Sequence, residues 1–274
     1  MRAVTDTGDT YTHGHADSVL RSHRWRTVEN SAGYLLPHLR PGADLLDVGC
    51  GPGTITVDLA QRLAPGRVVG LDAAADAITA AQAAAAEAGL TNLTVQVGDV
   101  YALDLPDDSF DVVHAHQVLQ HVSDPVAALR EMRRVCRPGG VVAARDSIYR
   151  AFSWYPQEPG LARWLDIYCA VAEANGGEPD AGSHLLAWAK AAGFAEADVT
   201  TTATAWCYAT PEERAWWGEL WAERTEATAL ADQAVELGVA TREELADAAG
   251  AWRRWAAHPD AWFAVPCGEI VARA

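Results

Sequence analysis

"LLDVGCGPGTITVDLA", Leu45 to Ala60, is the stretch that decides how this chain folds. A short apolar run carrying one acid, Asp47, enters a turn with Gly49, Gly51 and Gly53 at alternate positions, and a helical pattern starts at Thr54. Glycine gives up more backbone freedom on folding than any other residue. Three in one turn therefore point to a ligand that the backbone must approach closely. A glycine-rich turn between a buried strand and a helix brings backbone N–H groups near a ligand at the carboxyl edge of a sheet. The dinucleotide fingerprint G-x-G-x-x-G, read from Gly49, needs a glycine at position 54, where Thr54 stands. No lysine follows the glycines, which excludes the Walker phosphate loop. An acid two residues before the first glycine sits badly beside a pyrophosphate. It suits a ligand bearing an ammonium or a sulfonium group.

The same rhythm continues outward. From Asp44 to Asp146 the apolar runs "DLLDV", "RVVGLD", "LTVQV", "FDVVHAH" and "GGVVAARD" alternate with helical patterns at Thr54 to Leu63, Ala74 to Ala88 and Pro125 to Val135. Such alternation predicts βαβ units around a parallel sheet, and runs apolar on both faces predict strands covered on both sides. Gly89 reads as the residue closing an alanine-rich helix, Asp124-Pro125 as the start of the next, and "RPGG" at 137–140 as a turn into the fifth strand. Beyond Asp146 the rhythm breaks. An aromatic stretch from Tyr149 to Gly177 is expected to hold one helix. The helix "SHLLAWAKAAGF" and the Thr-rich strand "ADVTTTATAW" follow, then about 50 helical residues with capping boxes at Thr210 and Thr241, and a closing apolar run, "WFAVPCGEIVARA". Ten of the eleven tryptophans lie beyond residue 150.

Composition narrows the function. The chain has 274 residues, 50% of them hydrophobic, and a net charge of −16; its single lysine is Lys190. That field repels phosphate backbones, so a nucleic-acid partner is not expected; the Arg21, Arg24, Arg26 cluster reads as the solvated face of a helix. Five scattered cysteines with no Cys-x-x-Cys pair fit a reducing compartment and argue against structural zinc. The polar opening resembles no secretory signal, and no apolar run approaches the roughly 20 residues that span a bilayer. A cytoplasmic protein without a membrane partner is expected, with self-association left open.

On "LLDVGCGPG", "VVGLD", "GDVYALDLPDDSFDVVHAHQVLQHVSDP" and "RVCRPGG", in this order between Leu35 and Asp146, the chain resembles the class I S-adenosylmethionine-dependent methyltransferases, and in particular the small-molecule branch near the ubiquinone/menaquinone-biosynthesis type. The resemblance implies an α/β, Rossmann-like three-layer sandwich with a mainly parallel seven-stranded sheet and helical cap insertions. It divides the chain into an N-terminal lid and helix (1–34), a cofactor-binding core (35–148) and a remainder (149–274) with cap insertions near 150–180 and 210–257. It implies S-adenosyl-L-methionine as cofactor and S-adenosylhomocysteine as product. By position, Gly49, Gly51 and Gly53 let the backbone meet the methionine part and ribose of the cofactor, and Asp72 accepts from both ribose hydroxyls. Chemistry agrees on Asp72, since a carboxylate at a strand end is a bidentate acceptor for a vicinal diol. Ala73 leaves room for the adenine. Asp99 accepts from its amino group and Val100 lines the ring, with Gly98 beside them, and His116 and Gln117 stand near the amino-acid end and the methyl. Asp47 either orients the turn or meets the cofactor's ammonium through water, Asp99 either binds or caps its turn, and His121 either lines the pocket or caps. His114 is expected on the side of the strand opposite His116, in the core.

Segments before the first strand and after the fifth usually cover the substrate in this family. An amphipathic helix is expected from about Asp17. Tyr11 and His13 precede it in a lid, and Tyr11, His13 and His116 are the candidates for catalysis. The pair His13 and His15 lacks a Cys or acidic partner at ligand spacing, so no metal is expected. Tyr149, Trp154 and Tyr155 are candidates for an aromatic substrate pocket, whereas the later tryptophans lie at helical spacings that fit simple packing of the cap. The reaction implied is in-line methyl transfer to a small, apolar or aromatic molecule such as a secondary metabolite or a quinone-like compound. Two other readings stay open: a non-methylating S-adenosylmethionine-binding protein (a cyclase or regulator), and an NAD(P)-dependent oxidoreductase, disfavoured by the glycine spacing and the lack of a Tyr-x-x-x-Lys pair. No G-x-S-x-G elbow marks a hydrolase. "HAHQ" stands where base-methylating enzymes carry an Asn/Asp-Pro-Pro-Tyr motif.

Overall fold

The computed structural model describes residues 25–274. Five strands run parallel in the spatial order β3-β2-β1-β4-β5: β1 (Leu45–Val48), β2 (Val68–Asp72), β3 (Leu93–Val97), β4 (Phe110–His116) and β5 (Cys136–Ser147). In register, Leu46 of β1 lies between Val69 and Val113, and the whole of β1 is buried. The C-terminal strand β8 (Trp262–Arg273) runs antiparallel to β5 and to the long β7 (Val199–Tyr208). Short β6 (Ser153–Tyr155) pairs with the start of β8, so the sheet has eight strands where seven were expected. Three residues carry too little periodicity to register as a strand in the sequence.

Helices cover both faces. On one side α1 (Val28–Ser31) and α2 (Thr54–Leu63) bury Val28, Ile55, Leu59 and Leu63 against Leu45, Val68 and Val112, and α3 (Ala75–Glu87) packs beside α2. On the other, α4 (Pro125–Val135) and α6 (Ala181–Ala191) bury Leu129, Met132, Leu185 and Ala189 against Leu46, Val69 and Val113. Local signals match these ends. Asp124 caps α4, accepting from Ala127 N at 2.9 Å with Pro125 at the first position, and Gly89 beyond α3 has φ +65°. "RPGG" is not a separate turn. It lies within the span of β5 as an irregularity that shifts the register from Phe110↔Cys136 to Val112↔Val141, because Gly139 at φ +82° lets the strand bulge without losing its partner.

The chain after β5 builds a second core above the carboxyl edge of the sheet. α5 (Pro159–Ala174), α7 (Pro211–Ala227), α8 (Ala229–Glu236) and α9 (Arg242–Ala257) pack together against the ends of β7 and β8. Trp164 is edge-on to Trp221 (4.6 Å between centroids) and Trp252 (4.7 Å), and Trp252 meets Phe263 at 5.1 Å. Such pairs add about 0.5–1.5 kcal/mol each beyond the area they bury. Capping boxes at Thr210 and Thr241 start α7 and α9 as the sequence predicted. No helix among the described residues is long and apolar enough to cross a membrane.

Candidate active site

Open α/β sheets bind ligands in the crevice outside the carboxyl ends of the strands, at the point where the strand order reverses; here that point lies between β1 and β4, with the ends of β2 and β3 beside it. The glycine turn leaves the end of β1 at this place. Gly49 is left-handed, at φ +69°, and a Cβ there would stand 2.3 Å from Val118 Cγ2 in the segment after β4. Gly53, at φ +85°, starts α2, and a Cβ there would meet Ala81 at 2.9 Å. Two of the three glycines are therefore required by the protein's own packing.

The N–H groups of this turn are spent internally, contrary to the expectation that they face a ligand. Gly49 N and Cys50 N donate to Leu71 O (2.7 and 2.9 Å), Gly53 N to Cys50 O (3.0 Å), and Gly51 N to Asp72 Oδ2 (2.9 Å). Such a turn does not cradle a pyrophosphate. It offers a close, uncharged surface, which fits a ligand whose charge is positive.

Asp72, half-buried at the end of β2, uses one lone pair of each oxygen: Oδ2 on Gly51 N and Oδ1 on Ala74 N at 2.9 Å. A carboxylate has about four such sites, so both oxygens retain capacity for a diol. Ala73 beside it is exposed. Next in the crevice, Gly98 N donates to Asp72 O (3.0 Å), and Asp99 caps its own turn, accepting from Tyr101 N at 2.8 Å through Oδ1. Gly98, Asp99 and Val100 are all half-buried. These positions fit S-adenosylmethionine: a diol acceptor at Asp72, a second acceptor at Asp99 and no anion cradle between them.

Asp47 does not reach the crevice. It is buried, with Oδ2 accepting from Thr56 Oγ1 at 2.6 Å and Oδ1 2.7 Å from His114 Nδ1. It orients the turn by tying the first turn of α2 to β4. His114 and His116 lie on the same side of β4, their rings stacked at 6.5 Å. The expectation of opposite sides is corrected by the strand period of two, which returns every second side chain to one face. Both imidazoles are buried, His116 against the ring of Trp206 at 5.5 Å.

Beyond β4, Gln117 adopts φ +58°, uncommon for a residue with a Cβ. Its Oε1 accepts from Ser147 Oγ and from Gln120 Nε2, both at 2.9 Å, so its amide turns inward rather than toward the crevice. His121 ends the short turn Leu119–His121, with Nε2 3.0 Å from Gln120 Nε2. Burial, helped by Arg26, pushes its pKa down to about 3, so it is neutral at physiological pH and a poor proton acceptor. The turn itself is held by Asp146, fully buried at the end of β5, whose Oδ1 accepts from Gln120 N at 3.1 Å. Burial pushes this carboxyl up to about 7. In the sequence Asp146 is only the acid that closes the fifth apolar run, and that position is the one signal of its burial.

Other candidates lie elsewhere. Tyr149 is buried in the cap core, stacked on Tyr168 at 4.1 Å and Phe152 at 4.5 Å. Trp154 is half-buried and parallel to Phe263 at 5.8 Å. Tyr155 is 55% exposed, with its ring edge-on to His258. Tyr11 and His13 fall outside the described residues, as do Asp17 and most of the expected N-terminal helix. Arg26 is not on a helix face: it precedes α1 and lies over the ring of Trp206. Sequence reading also missed a fully buried ion pair, Arg145 Nε to Glu269 Oε1 at 3.1 Å, joined by Thr202 and Thr204 of β7. A charged residue inside each of two apolar runs, Arg145 in "GGVVAARD" and Glu269 in "WFAVPCGEIVARA", was its trace.

Comparison with known proteins agrees with this geometry. A methyltransferase-domain family model matches residues 39–179. An uncharacterized methyltransferase of Schizosaccharomyces pombe is 32% identical over 95% of each chain. Nocamycin O-methyltransferase of Saccharothrix syringae is 43% identical over 46% of this chain and 42% of its own. Among solved structures, a putative methyltransferase of Bacillus halodurans shares the fold at a TM-score of 0.59, with 18% identity over 88% of this chain and 97% of the other. The chain belongs to the methyltransferase-domain family. It is an S-adenosylmethionine-dependent methyltransferase with a Rossmann-like fold.

Proposed function

We propose that the protein methylates a small, apolar or aromatic molecule at an electron-rich oxygen or carbon, in the manner of enzymes of secondary metabolism. The observation that carries this reading is the aromatic cap of α5, α7, α8 and α9 standing over the carboxyl edge, where β7 and β8 extend past the end of β5. The partial likeness to nocamycin O-methyltransferase supports an oxygen acceptor.

S-adenosylmethionine supplies a methyl group already activated on a sulfonium. The chain's own residues then have to bind, align and exclude water, and alignment can account for about 7–11 kcal/mol of a barrier. In this reading Asp72 binds the ribose diol, Asp99 and Val100 hold the adenine beside Ala73 and Gly98, and Gly49, Gly51 and Gly53 give the close floor. His116 and the backbone turn from Gln117 to His121 form the wall near the methyl. A phenol or enol must lose its proton as the new bond forms. His121 is too weak a base, which leaves His116 and, from the N-terminal segment, His13 or Tyr11 for that task; a general base typically adds about 10²–10⁴-fold.

The test is incubation with S-adenosylmethionine and 1,4-dihydroxynaphthalene, a probe with both oxygen and carbon nucleophiles, followed by mass spectrometry. S-adenosylhomocysteine formed in step with a singly methylated naphthalene supports the reading. Methylation of amines or thiols in a parallel panel, with phenols and enols untouched, would overturn it.

A further inference from the structure

We propose that Trp206 is a positioning residue for methyl transfer, latching the segment before β1 onto the carboxyl end of β4. The proposal rests on the reading that His116 lines the cofactor pocket.

β7 is exposed from Thr200 to Ala205 and then turns Trp206 inward. Trp206 Nε1–H donates to Asn30 O at 2.6 Å. Asn30 lies in α1 and organises the residues before it: its amide donates to Trp25 O at 2.9 Å, and it exchanges hydrogen bonds with Thr27 in a capping box. One indole N–H thus holds a whole turn. The ring is fixed as firmly. The Arg145 guanidinium lies 4.4 Å from its centroid and is itself set by Glu269 and Thr204. Arg26 of the covering segment reaches over the same ring at 5.5 Å, and Trp25 meets it edge-on at 5.7 Å. His116, ending β4, touches it at 5.5 Å.

The chemistry assigns two halves to this latch. Arg145, Glu269 and the indole are a rigid platform on the sheet, and residues 25–31 are the part that docks. A helix of four residues cannot hold itself together in water, so its placement depends on such partners. The reaction needs reactants aligned and water excluded. A segment docked on Trp206, whose ring in turn meets His116, supplies both beside the end of β4; Val28 anchors the segment to the sheet core, and Trp206 sets how its other side docks.

Two variants test this, Trp206→Phe, which keeps an aromatic face and deletes the N–H, and Trp206→Leu, which removes both. Three readouts are compared with wild type: amide hydrogen exchange, S-adenosylhomocysteine affinity by calorimetry, and kinetics with 1,4-dihydroxynaphthalene. In Trp206→Leu the amides of Ser31, Ala32 and Leu35 are expected to exchange at least tenfold faster, with amides of β1 to β4 unchanged and affinity within threefold. The KM for the naphthalenediol is expected to rise at least fivefold, with Trp206→Phe in between. Unchanged protection of residues 28–35 in Trp206→Leu would overturn the proposal. So would loss of protection in β1 to β4 together with affinity, which would make Trp206 an ordinary core residue. Lost protection of residues 28–35 with KM unchanged for an acceptor that is turned over would also overturn it, leaving Trp206 a structural tie alone. A His116→Ala variant with undiminished S-adenosylhomocysteine affinity would remove the pocket reading separately.

Discussion

Asp47 and His114, 67 positions apart in the chain, are joined across β1 and β4 by a 2.7 Å contact between Oδ1 and Nδ1, with both side chains buried. The second oxygen of Asp47 holds Thr56. One carboxyl thus fixes the strand before the glycine turn, the helix after it and the strand whose end forms the opposite wall. Replacing Asp47 by Ala strands two buried donors, each costing about 1–3 kcal/mol. Urea unfolding of Asp47→Ala is expected to show a loss of about 2–6 kcal/mol. A loss under about 0.5 kcal/mol would mean that neither contact matters.

Gly49 offers a sharper test of the turn. Its left-handed φ and the 2.3 Å approach of Val118 Cγ2 leave no place for a methyl. Gly49→Ala is expected to weaken S-adenosylmethionine binding at least tenfold by pushing the turn and the segment after β4 apart. The double variant Gly49→Ala, Val118→Ala should regain part of the loss. Equal affinity for Gly49→Ala and wild type, measured by calorimetry, would contradict the close packing of these two segments.

Asp146 makes stability depend on pH. Its carboxyl is raised from the ordinary 3.8 to about 7 because it is buried. The folded state therefore favours the neutral form: the contribution is fully present below about pH 3.8 and is lost as pH rises through about 7. Asp146→Asn keeps an acceptor for Gln120 N and cannot ionise. It is expected to match wild type near pH 4 and to exceed its stability at pH 8 by at least about 1.4 kcal/mol, the equivalent of one pKa unit. Parallel stability curves between pH 4 and 8 would contradict this.

The cap tryptophans and Tyr155 should behave in opposite ways. Trp164 is wholly buried among Trp221, Trp252 and Tyr168, and Trp164→Ala is expected to cost about 3–5 kcal/mol. Tyr155 is largely exposed, and Tyr155→Ala should change stability by less than about 0.5 kcal/mol. If Tyr155→Ala nevertheless lowers turnover severalfold with the fold intact, Tyr155 touches the acceptor; unchanged turnover confines it to the surface.

The parallel half of the sheet was legible because each strand and helix there repeats its own period. Helices at Thr54–Leu63 and Pro125–Val135 end where the sequence places them, since Asp124, Pro125 and the glycines act locally. Three features were not legible, each for a physical reason. β6 is three residues long, the bulge at Gly139 keeps its strand partner, and the Arg145–Glu269 pair joins residues 124 apart inside runs that read as apolar. At the site, the sequence pattern put Asp72 at a strand end and the glycines in the turn after β1, whereas the role proposed for Asp99 came from the resemblance. Which of their polar atoms are already occupied was not legible, because those partners, such as Gly51 N on Asp72, come from neighbouring turns.

The most direct measurement is titration calorimetry of wild type and Asp72→Ala with S-adenosylhomocysteine. The account predicts one site of micromolar affinity in the wild type, no binding of NADPH, and an affinity at least tenfold weaker in Asp72→Ala, the order expected for losing hydrogen bonds to a charged group. Equal affinity in the two proteins would contradict the placement of the cofactor at the end of β2.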